Sequence, residues 1–241
     1  MIQNIVTYQC PDCGSAELVK NGHDDKGSQK YHCKTCNRYG TLQATKGYSQ
    51  QQIQVKRAVL ERSSLRGIAR IFEMSRHTIS RWLVSWLKQV PSIVSSLLPA
   101  EVEDVLELDE LWSFVGGKEQ QRWVWLALCR RTRQVVAYWI GDRSENSALQ
   151  LWRQLPDDYV RCASFSDRWQ PYAHVFNLQR HRMVDKAEGQ TNHVERWFNT
   201  LRQRLARFTR GTLAFSKRDD MHDGLLKMFI YHYNLSCISQ H

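Results

Sequence analysis

The chain has 241 residues, 42% of them hydrophobic and 11% aromatic, enough for one large domain or a medium one with small appendages. Its 34 Lys and Arg outnumber 24 Asp and Glu, and the excess lies in the first hundred residues (14 basic, 6 acidic), which points to a polyanion such as nucleic acid as partner. No apolar run reaches the ~18–20 residues that span a bilayer, and MIQNIVTYQC lacks the basic-then-apolar pattern of a signal peptide, so no membrane role and a cytoplasmic location are expected.

Two CxxC pairs open the chain: CPDC (Cys10, Cys13) and, after nineteen residues, CKTC (Cys33, Cys36). Two residues between thiolates let a tight turn aim both sulfurs at one tetrahedral ion, and two such pairs at this distance predict one structural Zn²⁺. His23 and His32 lie nearby, but four sulfurs already complete the shell. A segment of this size, residues 1–46, builds little core, so zinc is expected to drive its folding. Cys129, Cys162 and Cys237 read as core fillers.

Residues 47–92 turn helical. A first helix is expected from Ser49 through QQQIQVKRAVLERS. Ser64 is placed to cap a helix over 65–72, and Ser75 another over 76–89. Leu65, Ile68, Ala69, Phe72, Met74, Ile79 and Trp82 fall where a helix-turn-helix buries its contacts, although Glu73 stands where such a turn usually has Gly. In that arrangement Arg76, His77, Ser80 and Arg81 lie on the exposed face of the second helix, placed for base edges and phosphates. The alternative is a three-helix packing unit without DNA contact.

From residue 93 the pattern becomes strand-rich. DVLELDELWSFVG, RWVWLALCRRT and QVVAYWIGDR predict an antiparallel meander. A helix capped by Ser144, a strand in YVRCASFSDRW, a helix over 170–176, a strand in HRMVDK and a long basic helix from Thr191 follow. This order resembles the ribonuclease-H-like α/β arrangement with a mixed five-stranded sheet, so the whole is an α+β multidomain chain. Asp109 then lies on the first strand, Asp167 at the end of the fourth and Glu195 on the last helix. Glu107 and Glu110 differ from Asp109 in facing or reach. Three converging carboxylates would repel unless cations sit among them, and two Mg²⁺ (or Mn²⁺) per site fit both the ligands and phosphodiester chemistry. Singly, each acid has an ordinary alternative: a strand-end charge, a helix cap, a solvated helix carboxylate.

The segments DELW, SDRWQPY and NHVERWFNTLRQRLAR, with GTLAFSKRDDMHDGLLKMFIYHYN behind them, resemble the DDE transposases, most closely the insertion-sequence family one (IS-one). The likeness extends to the zinc knuckle and helix-turn-helix, and so covers nearly the whole chain. It implies a catalytic Asp109, Asp167 and Glu195, with Glu188 as competitor for the third place because 28 positions separate Asp167 from Glu195. Arg202, two helical turns beyond Glu195, matches the family's phosphate-holding basic residue. Arg204 and Arg207 extend a basic DNA track, and His193 is a possible support for catalysis. The resemblance further implies binding to terminal inverted repeats and target DNA, 3′-end cleavage, strand transfer, at least a homodimer and a prokaryotic, nucleoid-associated setting. The rival reading is a DNA-binding regulator whose ribonuclease-H-like part is an inactive assembly module.

Overall fold

A computed structural model describes residues 8–25, 27–42, 50–176 and 180–238. The chain forms two compact units, Met1–Ile53 and Gln54–His241.

In the first unit β1 (Leu18–His23), β2 (Gln29–Cys33) and β3 (Tyr39–Thr41) make an antiparallel sheet in chain order. Among its described residues only Cys10 and Cys33 are buried, at 2% and 1% exposure. Among the described residues, then, the cysteines stand where an ordinary apolar core would be.

The second unit begins within α1 (Gln50–Val59); Ser49, the expected start, lies outside the described residues. α2 (Leu65–Ile71) and α3 (Arg76–Gln89) start where the serines predict: Ser64 Oγ accepts from Gly67 N at 3.0 Å and Ser75 Oγ from Thr78 N at 3.1 Å. The turn between them forms with Glu73 in the left-handed region, φ 51°. A side chain there crowds its own backbone, so Glu73→Gly is expected to stabilise the protein by about 0.5–1 kcal/mol in urea unfolding, the relief of strain exceeding the entropy glycine adds to the unfolded chain.

The sheet of this unit comprises β4 (Val105–Phe114), β5 (Gln121–Cys129), β6 (Val135–Gly141), β7 (Ala163–Ser166) and β8 (His181–Met183), in the order β6-β5-β4-β7-β8. β6, β5 and β4 are antiparallel; β4, β7 and β8 are parallel. The expected fourth strand is shorter than its apolar run, because Pro156, Asp157 and Asp158 open a helical turn, α5 (Asp157–Val160), ahead of it. α4 (Glu145–Arg153) and α6 (Gln170–Val175) lie against one face of the sheet with Leu108, Trp125 and Ala127. The other face, with Leu111, Leu126 and Leu128, carries α7 (Asn192–Arg204) and α8 (Asp219–Ile238). Ile68, Ile79, Leu83 and Trp86 of α2 and α3 join that second core. The segments 47–92 and 93–241 thus share a core across their expected boundary, because the apolar stripe of α3 packs onto α8. No described helix is long and apolar enough to cross a membrane.

Candidate metal and nucleic-acid sites

The four cysteines lie within reach of one ion. Cys10 and Cys36 Sγ are 3.6 Å apart, as are Cys13 and Cys33 Sγ, and all four sulfurs fall within 4.8 Å of one another. A tetrahedron with Zn–S near 2.3 Å has edges of about 3.8 Å, so the set fits zinc. The knuckles close because the residue after each pair takes the left-handed region, Gly14 at φ 73° and Asn37 at φ 58°. The Cys36 backbone N–H pulls the Cys33 thiol down to about 6, favouring the thiolate a metal requires. His32 contacts Asn37 Oδ1 and stacks on Tyr39, and stays outside the set.

The second cluster is built on β4. Strand alternation turns Glu107, Asp109 and Leu111 toward α7, and Leu106, Leu108 and Glu110 toward α6. β4 pairs with β7 in the register Val105↔Ala163 to Glu107↔Phe165. Continued by two residues, that register brings Asp167 level with Asp109. Asp109, Glu110 and Asp167 each present a carboxylate oxygen within 4.8 Å of the others. Burial, then the charges of Glu110, Asp167 and Glu195, push Asp109 up to about 7. Carboxylates so crowded fit a divalent cation, which removes the repulsion that otherwise retains a proton.

Glu195 lies in the first turn of α7, close enough for its charge to act on Asp109, though outside the tight trio. Glu110 takes the third place in that trio, although it leaves β4 on the opposite face from Asp109. Beyond Glu107 the ladder to β7 ends, and this side of β4 lies open. The Glu110 carboxylate is also well held: Arg143 donates to Oε1 from Nε (2.9 Å) and Nη2 (2.6 Å), and Tyr172 donates to Oε2 (3.0 Å). The Arg143 guanidinium lies between the rings of Trp123 and Trp169, 4.6 and 4.1 Å from their centroids. Neither Arg143 nor Tyr172 carries a signal in sequence, since both reach Glu110 only through tertiary packing.

Glu107 has a different task. Fully buried, it accepts from Arg130 Nε (2.8 Å), His193 Nδ1 (2.6 Å), His193 N (2.8 Å) and Val194 N (3.1 Å). It thereby caps the start of α7, where Thr191 supplies no side-chain cap, and its negative charge faces the positive end of the helix dipole. Arg130 ties the same corner by donating Nη2 to Gln190. This latch sits two residues before Asp109 on β4 and two before Glu195 on α7. The competitor Glu188 is exposed, and its Oε1 accepts from Asp185 N in a capping box.

Of the expected DNA contacts, Arg76, His77 and Arg81 are exposed on α3, and Ser80 is half-buried. Arg202 shares the Glu195 face; burial and the charge of Arg210 lower its basicity, while Asp109 raises it. Arg204 is turned inward, paired with Glu61 and stacked 5.0 Å from the Phe229 centroid. Arg207 is half-buried with its Nη1 at 3.5 Å from Ser216 Oγ, and burial lowers its pKa. The tertiary packing that occupies these two side chains is invisible in a run of basic residues.

A zinc ribbon ahead of a mixed sheet describes a zinc-ribbon protein whose second unit carries a cluster of carboxylates. The model of the IS1 transposase family matches residues 104–235, and that of the InsA N-terminal domain, a zinc ribbon, matches 4–37. The chain belongs to the IS1 transposase family. It is 34% identical over 126 residues to insertion element iso-IS1n protein InsB of Shigella dysenteriae, covering 52% of this chain and 93% of that protein. Against insertion element IS1 4 protein InsB of Escherichia coli K12 the identity is 34% over 146 residues, 59% of this chain and 84% of the relative. InsB of insertion element IS1 from Shigella flexneri is 34% identical over 129 residues, 53% and 95% of the two chains.

Proposed function

We propose that this protein is a DNA transposase that binds the terminal inverted repeats of an insertion sequence and catalyses metal-dependent 3′-end cleavage and strand transfer. The observation that carries the reading is the gathering of Asp109 and Asp167 from neighbouring parallel strands, with Glu195 within electrostatic reach. The strand order, with the Asp109 strand at the centre, supports a ribonuclease-H-like catalytic part.

In this reading Asp109, Asp167 and Glu195 hold two Mg²⁺ or Mn²⁺ ions, which when bound activate an attacking oxygen and stabilise a leaving one. Asp109 gives up its proton as it becomes a ligand. Glu110, pinned by Arg143 and Tyr172, sets the charge beside Asp109, and the latch at Glu107 holds α7 so that Glu195 faces the site. Arg202 binds the scissile or an adjacent phosphate. The zinc ribbon (1–46) and α2–α3, acting as a helix-turn-helix within 47–92, read the element ends through Arg76, His77, Ser80 and Arg81, and residues 93–241 carry the chemistry. Two ends must be held together, so the working form contains at least two copies, acting on target DNA in the bacterial nucleoid.

The test is nicking of a duplex carrying one element end, in Mg²⁺. Asp109→Ala, Asp167→Ala and Glu195→Ala are each expected to lose roughly a thousandfold or more, and the doubles little further, because the acids act as one unit. A wild type that binds the end and never nicks favours the regulator reading; variants that nick as fast as wild type remove these acids from the site.

A further inference from the structure

A cavity of about 190 Å³ lies beside α7, lined by Leu128, Arg133, His193, Arg196, Trp197, Thr200 and Tyr233. His193, Arg196 and Thr200 recur on one stripe of the helix, centred roughly 130° round the axis from Glu195. The cavity therefore opens on a different flank of α7 from the carboxylate site. The acids have no share in its lining, and its charge is cationic.

Three features set it apart from an ordinary solvated surface. Arg133 and Arg196 line one cavity together, and neither forms an ion pair among the described residues. Arg133 is also held at φ 60°, in the turn between β5 and β6. Glycine or asparagine would sit there with less strain, so the position keeps a guanidinium against a backbone cost. Finally, His193 is not free to rotate. Its Nδ1 donates to the fully buried Glu107 at 2.6 Å, which fixes the ring and leaves Nε2 to donate to an oxyanion when the imidazole carries both protons. Two unpaired guanidiniums beside an oriented imidazole suit a tetrahedral oxyanion.

We propose that this cavity binds a phosphate of the DNA backbone, as a second anchoring point on α7 separate from the carboxylate cluster. The proposal rests on the reading of the protein as DNA-handling, and not on the assignment of Asp109, Asp167 and Glu195. Arg196 and Arg133 grip the phosphodiester oxygens, and His193 completes the contact. A backbone contact carries no sequence information, so it adds affinity equally to element ends and to unrelated DNA.

Binding is measured by fluorescence anisotropy on the full-length Asp109→Asn protein with its zinc bound and no other divalent ion. The probes are one duplex carrying an element end and one of unrelated sequence. Arg133→Gly and Arg196→Ala are each expected to weaken both duplexes by the same factor. Each should also reduce the slope of log Kd against log salt by about 1. Arg133→Gly suits the left-handed backbone, so its loss of affinity does not come from unfolding. Lys118→Ala removes the same charge from the exposed turn at the opposite end of β5 and is expected to leave the slope unchanged. Wild-type slopes in both arginine variants, or an equal loss in Lys118→Ala, would overturn the site. Because nothing in the assay reads cleavage, an error in the catalytic triad leaves this result intact.

Discussion

Without divalent ions other than its zinc, Asp109→Asn is expected to melt well above the wild type at pH 8, and close to it at pH 4. Asp109 is raised from 3.8 to about 7 in the folded protein, by burial first and then by the charges of Glu110, Asp167 and Glu195. Between those values the folded state binds a proton that the unfolded state has released. Stability therefore falls as pH rises from about 4 to 7, and the deficit is complete above 7. A shift of this size corresponds to about 4 kcal/mol at pH 8, or roughly 8–16 °C in Tm for a unit of this length. Asparagine has no charge to bury and escapes the deficit. Calorimetry at the two pH values reads the difference, and an effect independent of pH, or a less stable variant at pH 8, would count against a strained carboxylate cluster. Mg²⁺ should restore stability to the wild type and not to the variant. Its affinity should rise about tenfold per pH unit up to 7, because the ion displaces the Asp109 proton. The substitution that stabilises the metal-free protein is thus the one expected to abolish nicking, a trade characteristic of sites that store charge repulsion for a ligand.

Removing zinc is expected to unfold the first unit outright and leave the second folded. Among the described residues of the first unit, the only buried side chains are two of the four cysteines. The ion supplies what an apolar core would, and structural zinc binding is worth about 10–16 kcal/mol in segments of this kind. The second unit draws instead on two apolar clusters, one on each face of its sheet. Cys33→Ser, or a chelator, should collapse the amide dispersion of residues 8–42 in an NMR spectrum while the melt of the second unit stays in place. A first unit that keeps its dispersion without metal would show that its three strands carry a stability of their own. Duplex binding should weaken in the same sample, in proportion to the contacts the ribbon makes.

The parts legible in sequence were those set by neighbours along the chain. The cysteine pairs announce zinc because two intervening residues fix the geometry of each knuckle. Ser64 and Ser75 announce helix starts because an N-cap bonds to an amide three residues on. The strand and helix order, and with it the approach of Asp167 to Asp109, follows from apolar runs and their spacing. Even Glu73, an awkward residue for a turn, left the turn where the flanking helices require it.

The acids divided differently. Local sequence sets Asp109 apart from Glu107 and Glu110 by facing or reach, but nothing within a few residues says what those two acids hold. Burial against α7 commits Glu107 to the helix start and to Arg130, from another strand; Arg143 and Tyr172, 33 and 62 positions away, hold Glu110 at the edge of the cluster. Arg204 is likewise claimed by Glu61, 143 positions back. By itself, then, the sequence determined which chemistry-bearing residues exist and on which elements they ride, because propensity, capping and ligand spacing act over a few residues. Only the tertiary structure decided which carboxylates cluster, which serve as a latch and which arginines are drawn into ion pairs, because charge interactions in a buried site depend on distance through space and on lost solvent.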